Sequence, residues 1–184
     1  PIRRGLMDEI NWQDRLIGIK GTRGVGKTTF LLQYAKEKFG TDRSCLYLNM
    51  NNLYFTKHRL VDFAEGFVKD GGRVLLIDQV FKYPEWSHEL RECYDRHPEL
   101  KIVFTGSSVM RLKEENPELS GIAKVYYLRG LSFREFLNLR SGNSFPAYTL
   151  HEILKDHQKI AATILKKINP TDFFQEYLHH GFYP

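Results

Sequence analysis

The sequence predicts an α/β fold: a mostly five-stranded parallel sheet layered between helices, followed by a small C-terminal helical segment. Three observations carry this. Apolar runs of strand length recur at residues 16–20, 44–49, 73–77, 101–105 and 124–128. Segments with apolar residues at helical spacing separate most of them, the alternation that builds parallel sheets through crossover connections. The third run is apolar almost throughout, as a strand buried on both faces requires.

Residues 16–30 set the organisation. The first strand leads into Gly21-Thr22-Arg23-Gly24-Val25-Gly26-Lys27-Thr28-Thr29 and then into the helical pattern Phe30-Leu31-Leu32-Gln33-Tyr34-Ala35. This is the G-x-x-x-x-G-K-T spacing of a phosphate-binding P-loop in its strand–loop–helix context. By composition alone the four fixed positions would match about once in a hundred chains of this length. Glycines let backbone N–H groups converge on a phosphate, and the helix adds its positive end. All nine residues from Gly21 to Thr29 are therefore candidate ATP-binding residues. Lys27 is expected to reach the β- and γ-phosphates, and the Thr28 hydroxyl to ligate Mg2+. The fold class sharpens to the three-layer sandwich of a P-loop NTPase.

Composition sets the bounds. The 184 residues suffice for one domain of ordinary size or one plus part of another, and 42% hydrophobic with 27% charged residues is ordinary for a globular chain. No apolar run approaches the roughly 20 residues that span a bilayer, and no secretory signal opens the sequence. Cys45 and Cys93 lack CxxC spacing and lie in apolar segments, so free buried thiols in a cytoplasmic setting are expected. The net charge of +5 leans weakly towards anionic partners, nucleic acid included.

In order, residues 1–15 carry Trp12, placed either to stack on adenine or to anchor the N-terminal arm on the core. A helix over 27–39 ends at Gly40. Residues 50–56 read as a loop and 60–68 as a helix stopped by Gly71-Gly72. The third strand ends in Asp78, the Walker B position for a magnesium-orienting carboxylate. Gln79 follows where many such ATPases carry a glutamate general base, and an amide cannot take a proton from water at neutral pH. Three readings stay open: a weak hydrolase using another carboxylate (Glu85 and Glu89 lie downstream), a natural binding switch, or an engineered Glu→Gln trap.

A helix over 87–96 is broken by His97-Pro98. The fourth strand ends in Thr105-Gly106-Ser107-Ser108, with Ser107 the first candidate γ-phosphate sensor and Thr105 or Ser108 the alternatives. Ser132 with Glu135 and Thr149 with Glu152 form two capping boxes. Leu131 and Phe136 suit a hydrophobic staple. Ile153, Leu154, Ile160, Ile164, Leu165 and Ile168 give a helical stripe, and a last helix covers 172–180. Adjacent His179 and His180 suit surface positions better than a metal site. The expected division is a nucleotide-binding core at 1–142 and a helical extension at 143–184.

Together, Gly21 to Thr29, Leu76-Ile77-Asp78-Gln79-Val80-x-x-Tyr83-Pro84-x-Trp86, Thr105-Gly106-Ser107-Ser108, Leu131-Ser132-Phe133-Arg134-Glu135-Phe136 and Glu176-Tyr177-Leu178-x-x-Gly181-x-x-Pro184 resemble the prokaryotic AAA-superfamily ATPases that join an AAA domain to a C-terminal domain of unknown function. The resemblance implies a sensor strand between the P-loop and Walker B strands, with Lys27, Thr28, Asp78 and Ser107 around one γ-phosphate. It also implies departures. The family usually has Asp-Glu at 78–79 and an arginine near 119–122, where this chain has Ile122; Arg111, Arg129 and Arg134 are substitutes. Family members continue further, so a truncated chain is expected, its missing part engaging a protein partner, with homo-oligomers compatible. The expected activity is Mg-dependent ATP hydrolysis, weakened or blocked at Gln79, with a nucleotide-gated interaction module or a nucleic-acid-associated ATPase as alternatives.

Overall fold

The computed structural model describes residues 2–107 and 116–184. Its strands are β1 (Leu16–Lys20), β2 (Cys45–Asn49), β3 (Val74–Asp78), β4 (Lys101–Gly106) and β5 (Lys124–Tyr127). The helices are α1 (Leu6–Glu9), α2 (Lys27–Lys38), α3 (Leu60–Lys69), α4 (Trp86–Arg96), α5 (Phe133–Ser141), α6 (Leu150–Leu165) and α7 (Thr171–His180). All pairings are parallel in the order β2-β3-β4-β1-β5. The five-stranded parallel sheet is therefore as expected, and β4 lies between β1 and β3.

Residues alternate between the two faces of each strand, and both faces are covered. On one, Leu16, Leu75, Ile77, Ile102 and Phe104 join Leu60, Val61 and Ala64 of α3 and Leu90 and Cys93 of α4 in a single core. The alternate positions Ile17, Ile19, Leu76 and Val103 are equally buried. Over β2 and β3 packs α2, whose Phe30, Leu31 and Tyr34 are buried. Trp12 stacks on Tyr34 with centroids 3.7 Å apart, and its ring also lies 6.3 Å from Phe30. That favours the anchoring role for Trp12.

Backbone contacts divide the chain into Ile10–Arg129 and a second compact unit of Pro1–Glu9 with Gly130–Pro184. The second unit is organised around a buried ion pair. Arg4 Nε lies 3.3 Å from Glu135 Oε1, which also accepts the Gly5 N–H at 2.9 Å. The other carboxylate oxygen accepts the Ser132 N–H at 2.8 Å and completes the α5 capping box. Burial raises the carboxyl pKa, but these N–H groups and the Arg4 charge outweigh it and hold Glu135 below its ordinary value. Because the folded value is depressed, this contribution is present above the unfolded pKa and lost as pH falls through the folded one. Glu135→Ala should cost about 3–5 kcal/mol by removing the buried carboxylate that faces the Arg4 charge, although Arg4 keeps its bond to the Gly130 carbonyl; an unchanged urea midpoint would show that the pair contributes nothing.

Three local features differ from the expectations. The segment over 50–56 contains a 3₁₀ turn, Leu53–Thr56, capped by the Asn52 side chain, which accepts the Tyr54 N–H. The helix α6 has a non-helical break at Asp156, and it carries no buried residue despite its apolar stripe. Cys45 is only half-buried while Cys93 is buried, and both thiols are free. Burial first, then nearby carboxylates, raise their pKa values to about 11 and about 12, so neither is a ready thiolate.

Candidate nucleotide-binding site

The loop between β1 and α2 is shaped by glycine. Gly24 and Gly26 have φ of 84° and 92°, a left-handed conformation that costs side-chain-bearing residues roughly 1–2 kcal/mol. Gly26 is also the N-cap of α2. No side chain caps that helix, and its first turn holds no carboxylate of its own, so its positive end faces the loop. At Gly21, a Cβ would fall 2.5 Å from the Leu128 carbonyl oxygen.

Lys27 curls back over this loop. Its Nζ donates to the Gly21 and Thr22 carbonyls, each at 2.8 Å. Burial lowers its pKa and the Asp78 charge opposes that shift. The Thr28 hydroxyl donates to Asp78 Oδ2 at 2.6 Å. Asp78, at the end of β3, is fully buried and has two further donors. Thr105 of β4 donates to Oδ1, and the Tyr47 hydroxyl of β2 donates to Oδ2 at 2.9 Å. Burial, followed by the hydrogen bond to Asp78, raises the Tyr47 pKa to about 12, which keeps the phenol a proton donor.

Gln79 is the sole non-glycine residue with positive φ among the described residues, at φ 59° and ψ 45°. Its N–H donates to the Thr105 hydroxyl at 2.9 Å. One buried hydroxyl thus fixes both the Asp78 carboxylate and the strained amide beside it. Thr105→Val keeps the shape but removes both bonds. It should lower stability by about 2 kcal/mol or more, read by urea denaturation; an unchanged midpoint would remove Thr105 from this role.

Lys27, Thr28, Asp78, Gln79 and Ser107 line one cleft of about 750 Å³ with Gly21, Arg23, Gly24 and Gly26. Asn51, Phe81 and Lys82 line it too, none of them anticipated from sequence. The Thr22 carbonyl holds Lys27, whereas Val25 is buried beneath the loop and Thr29 is exposed outside the lining. Ser107 lines the cleft while Thr105 braces it from within the core. Ser108 and Arg111 lie outside the described residues. Glu85 is exposed. Glu89 is buried, and its carboxylate takes the Val61 N–H, the Tyr83 hydroxyl and Arg59, which commits it elsewhere. Ile122 packs on the core, Arg129 is not in the lining, and Arg134 belongs to the other unit, donating to the Phe145 carbonyl.

Chemically, the cleft offers an ammonium, a guanidinium and a helix N-terminus to a polyanion. Beside them a hydroxyl and a carboxylate offer hard oxygen ligands to a divalent cation. The residues present fit a nucleotide triphosphate with Mg2+.

The family described as an AAA domain matches residues 13–137. This chain belongs to that family. The AAA domain also resembles two solved structures at the level of fold. One is AMPPCP-bound DnaA from Aquifex aeolicus, at 14% identity and TM-score 0.49, covering 80% of this chain and 53% of that one. The other is PCH-2 from C. elegans, at 18% identity and TM-score 0.48, covering 81% and 42%. The AAA domain here thus spans about half the length of these proteins or less. No curated protein matches it.

Proposed function

We propose that this AAA domain binds Mg-ATP in the cleft between the glycine loop and the ends of β3 and β4, and hydrolyses it slowly. The observation that carries the reading is the meeting of Lys27, Thr28 and Asp78 in one cleft with Gln79 beside them. Lys27 leaves the Gly21 and Thr22 carbonyls to engage the β- and γ-phosphates. Thr28 and Asp78, hydrogen-bonded to each other, are the oxygen donors that would hold the cation. Mg2+, when bound, neutralises phosphate charge and favours departure of the leaving oxygen. Thr105 keeps Asp78 aimed, and Ser107 orients the attacking water.

Gln79 can orient that water but cannot accept its proton. Asp78 is the sole carboxylate among the described lining residues, and it is committed to the cation. Cleavage is therefore the slow event, which favours an ATP-held state as the signal. In a single-turnover experiment with pre-bound ATP, most nucleotide should be recovered uncleaved after free nucleotide is removed. Fast burst hydrolysis would overturn the slow-cleavage reading, and failure to retain ATP would overturn the site.

A further inference from the structure

Asp78 is clamped from both neighbouring strands. In the order β2-β3-β4 its strand lies in the middle, and one hydroxyl reaches it from each side. Thr105 of β4 donates to Oδ1, while Tyr47 of β2 donates to Oδ2 at 2.9 Å. Tyr47 pairs in register with Leu76, two positions before Asp78 on the same face, and the length of the phenol carries its hydroxyl to the carboxylate. Asn49, opposite Asp78 itself, hydrogen-bonds the Tyr47 oxygen and accepts the Asn51 N–H at 2.9 Å. Asn51 lines the nucleotide cleft, whereas Tyr47 is not among its described lining residues. Tyr47 therefore reaches the cleft through the groups it touches.

The clamp sets a direction. A carboxylate turns about its last bond in a broad, two-fold torsion. One hydrogen bond restrains that torsion loosely; donors on both oxygens, from opposite sides, fix the plane of the group. The plane matters because Oδ2 is also the oxygen that receives the Thr28 hydroxyl, at 2.6 Å. A hydroxyl has one proton and two lone pairs. With its proton drawn to Oδ2, Thr28 keeps its lone pairs for a cation.

We propose that Tyr47 is a positioning residue for the divalent cation at Thr28 and Asp78, acting through the carboxylate it holds. This role rests on the Mg-ATP reading of the cleft. A buried carboxylate needs donors for stability alone, and Thr28 and Thr105 already supply two. What the third donor adds is orientation. Partners that orient the groups holding a metal are worth about 10- to 100-fold in metal affinity. The nucleotide itself is held by the glycine loop and Lys27, which Tyr47 does not touch, so its removal should act on the cation and spare the nucleotide.

The test compares affinity for a fluorescent ATP analogue in excess Mg2+ and in EDTA. The wild-type chain should bind more tightly with Mg2+, and Tyr47→Phe should shrink that gain about tenfold. Its affinity in EDTA should be unchanged. Tyr47→Phe keeps the ring and its packing while removing the donor. Asn49→Ala leaves the phenol in place and loosens it from its other side, so it reads out even if Tyr47→Phe fails to fold. It should shrink the gain in the same direction, by roughly two- to tenfold for one hydrogen bond. A lowered unfolding midpoint with the Mg2+ gain intact would make the bond merely stabilising and overturns the proposal. Equal weakening in Mg2+ and in EDTA overturns it too. A wild-type chain that binds the analogue with no gain from Mg2+ removes the role of Tyr47 and leaves the nucleotide cleft standing. A wild-type chain that binds it under neither condition removes the cleft reading, and the role of Tyr47 with it.

Discussion

Gln79→Glu should accelerate single-turnover ATP cleavage by about 100- to 10,000-fold, the range a positioned general base supplies. The substitution is nearly isosteric and keeps the backbone where it is. The unusual φ of 59° at this position is held from outside the side chain, by the bond from its own N–H to Thr105. A carboxylate there would share the cleft with Lys27 and Ser107, adding a proton acceptor and one negative charge at nearly the same volume. Affinity for ATP should change little, because binding rests on the loop and Lys27. Quench-flow on both forms at equal saturation separates the outcomes. Equal rates would place the base elsewhere and leave Gln79 as a water-orienting amide.

Lys27→Ala should weaken ATP binding by at least about 100-fold, since charge-assisted hydrogen bonds contribute about 1.5–3 kcal/mol each and Lys27 is expected to make more than one to phosphate. In the free protein the ammonium bonds to the Gly21 and Thr22 carbonyls. The Thr22 acceptor is half-buried, the Gly21 acceptor buried, and both bonds are local to the loop, so unfolding midpoints should shift less than affinity does. Titration with a fluorescent ATP analogue, alongside thermal unfolding without nucleotide, distinguishes a weakened site from an unfolded chain. Unchanged affinity would remove the cleft from the nucleotide-binding role.

Much of the fold and site is legible in the sequence because it is local. The apolar run at Leu16–Lys20, the glycine spacing that follows and the Ser132 and Thr149 capping boxes lie within a few residues, and the structure reproduces them. The place of β4 between β1 and β3 is not local; it follows from the family resemblance and agrees with the observed sheet order. Tyr47 is illegible for a physical reason. Its neighbours in sequence are apolar strand residues, and only pairing of β2 with β3 brings its hydroxyl to Asp78. Strand position makes Thr105 a possible sensor, whereas burial turns its hydroxyl inward as a brace. The left-handed backbone at Gln79 has no sequence signal at all, since glutamine carries no such preference; its cause is the contact with β4.

The central position of β4 also has a kinetic side. Residue 16 pairs with residue 102 across this sheet, and Val74 with Lys101. Until β4 docks, β1 and β3 have no common neighbour, and the glycine loop and Asp78 belong to separate pieces of chain. Non-local parallel pairings of this kind close slowly, because loop entropy is lost before contacts form. The ability to hold nucleotide should therefore appear late in refolding, together with burial of Phe104 rather than with the first helical signal. Nucleotide would then act on the finished sheet, slowing its unfolding rather than guiding its assembly.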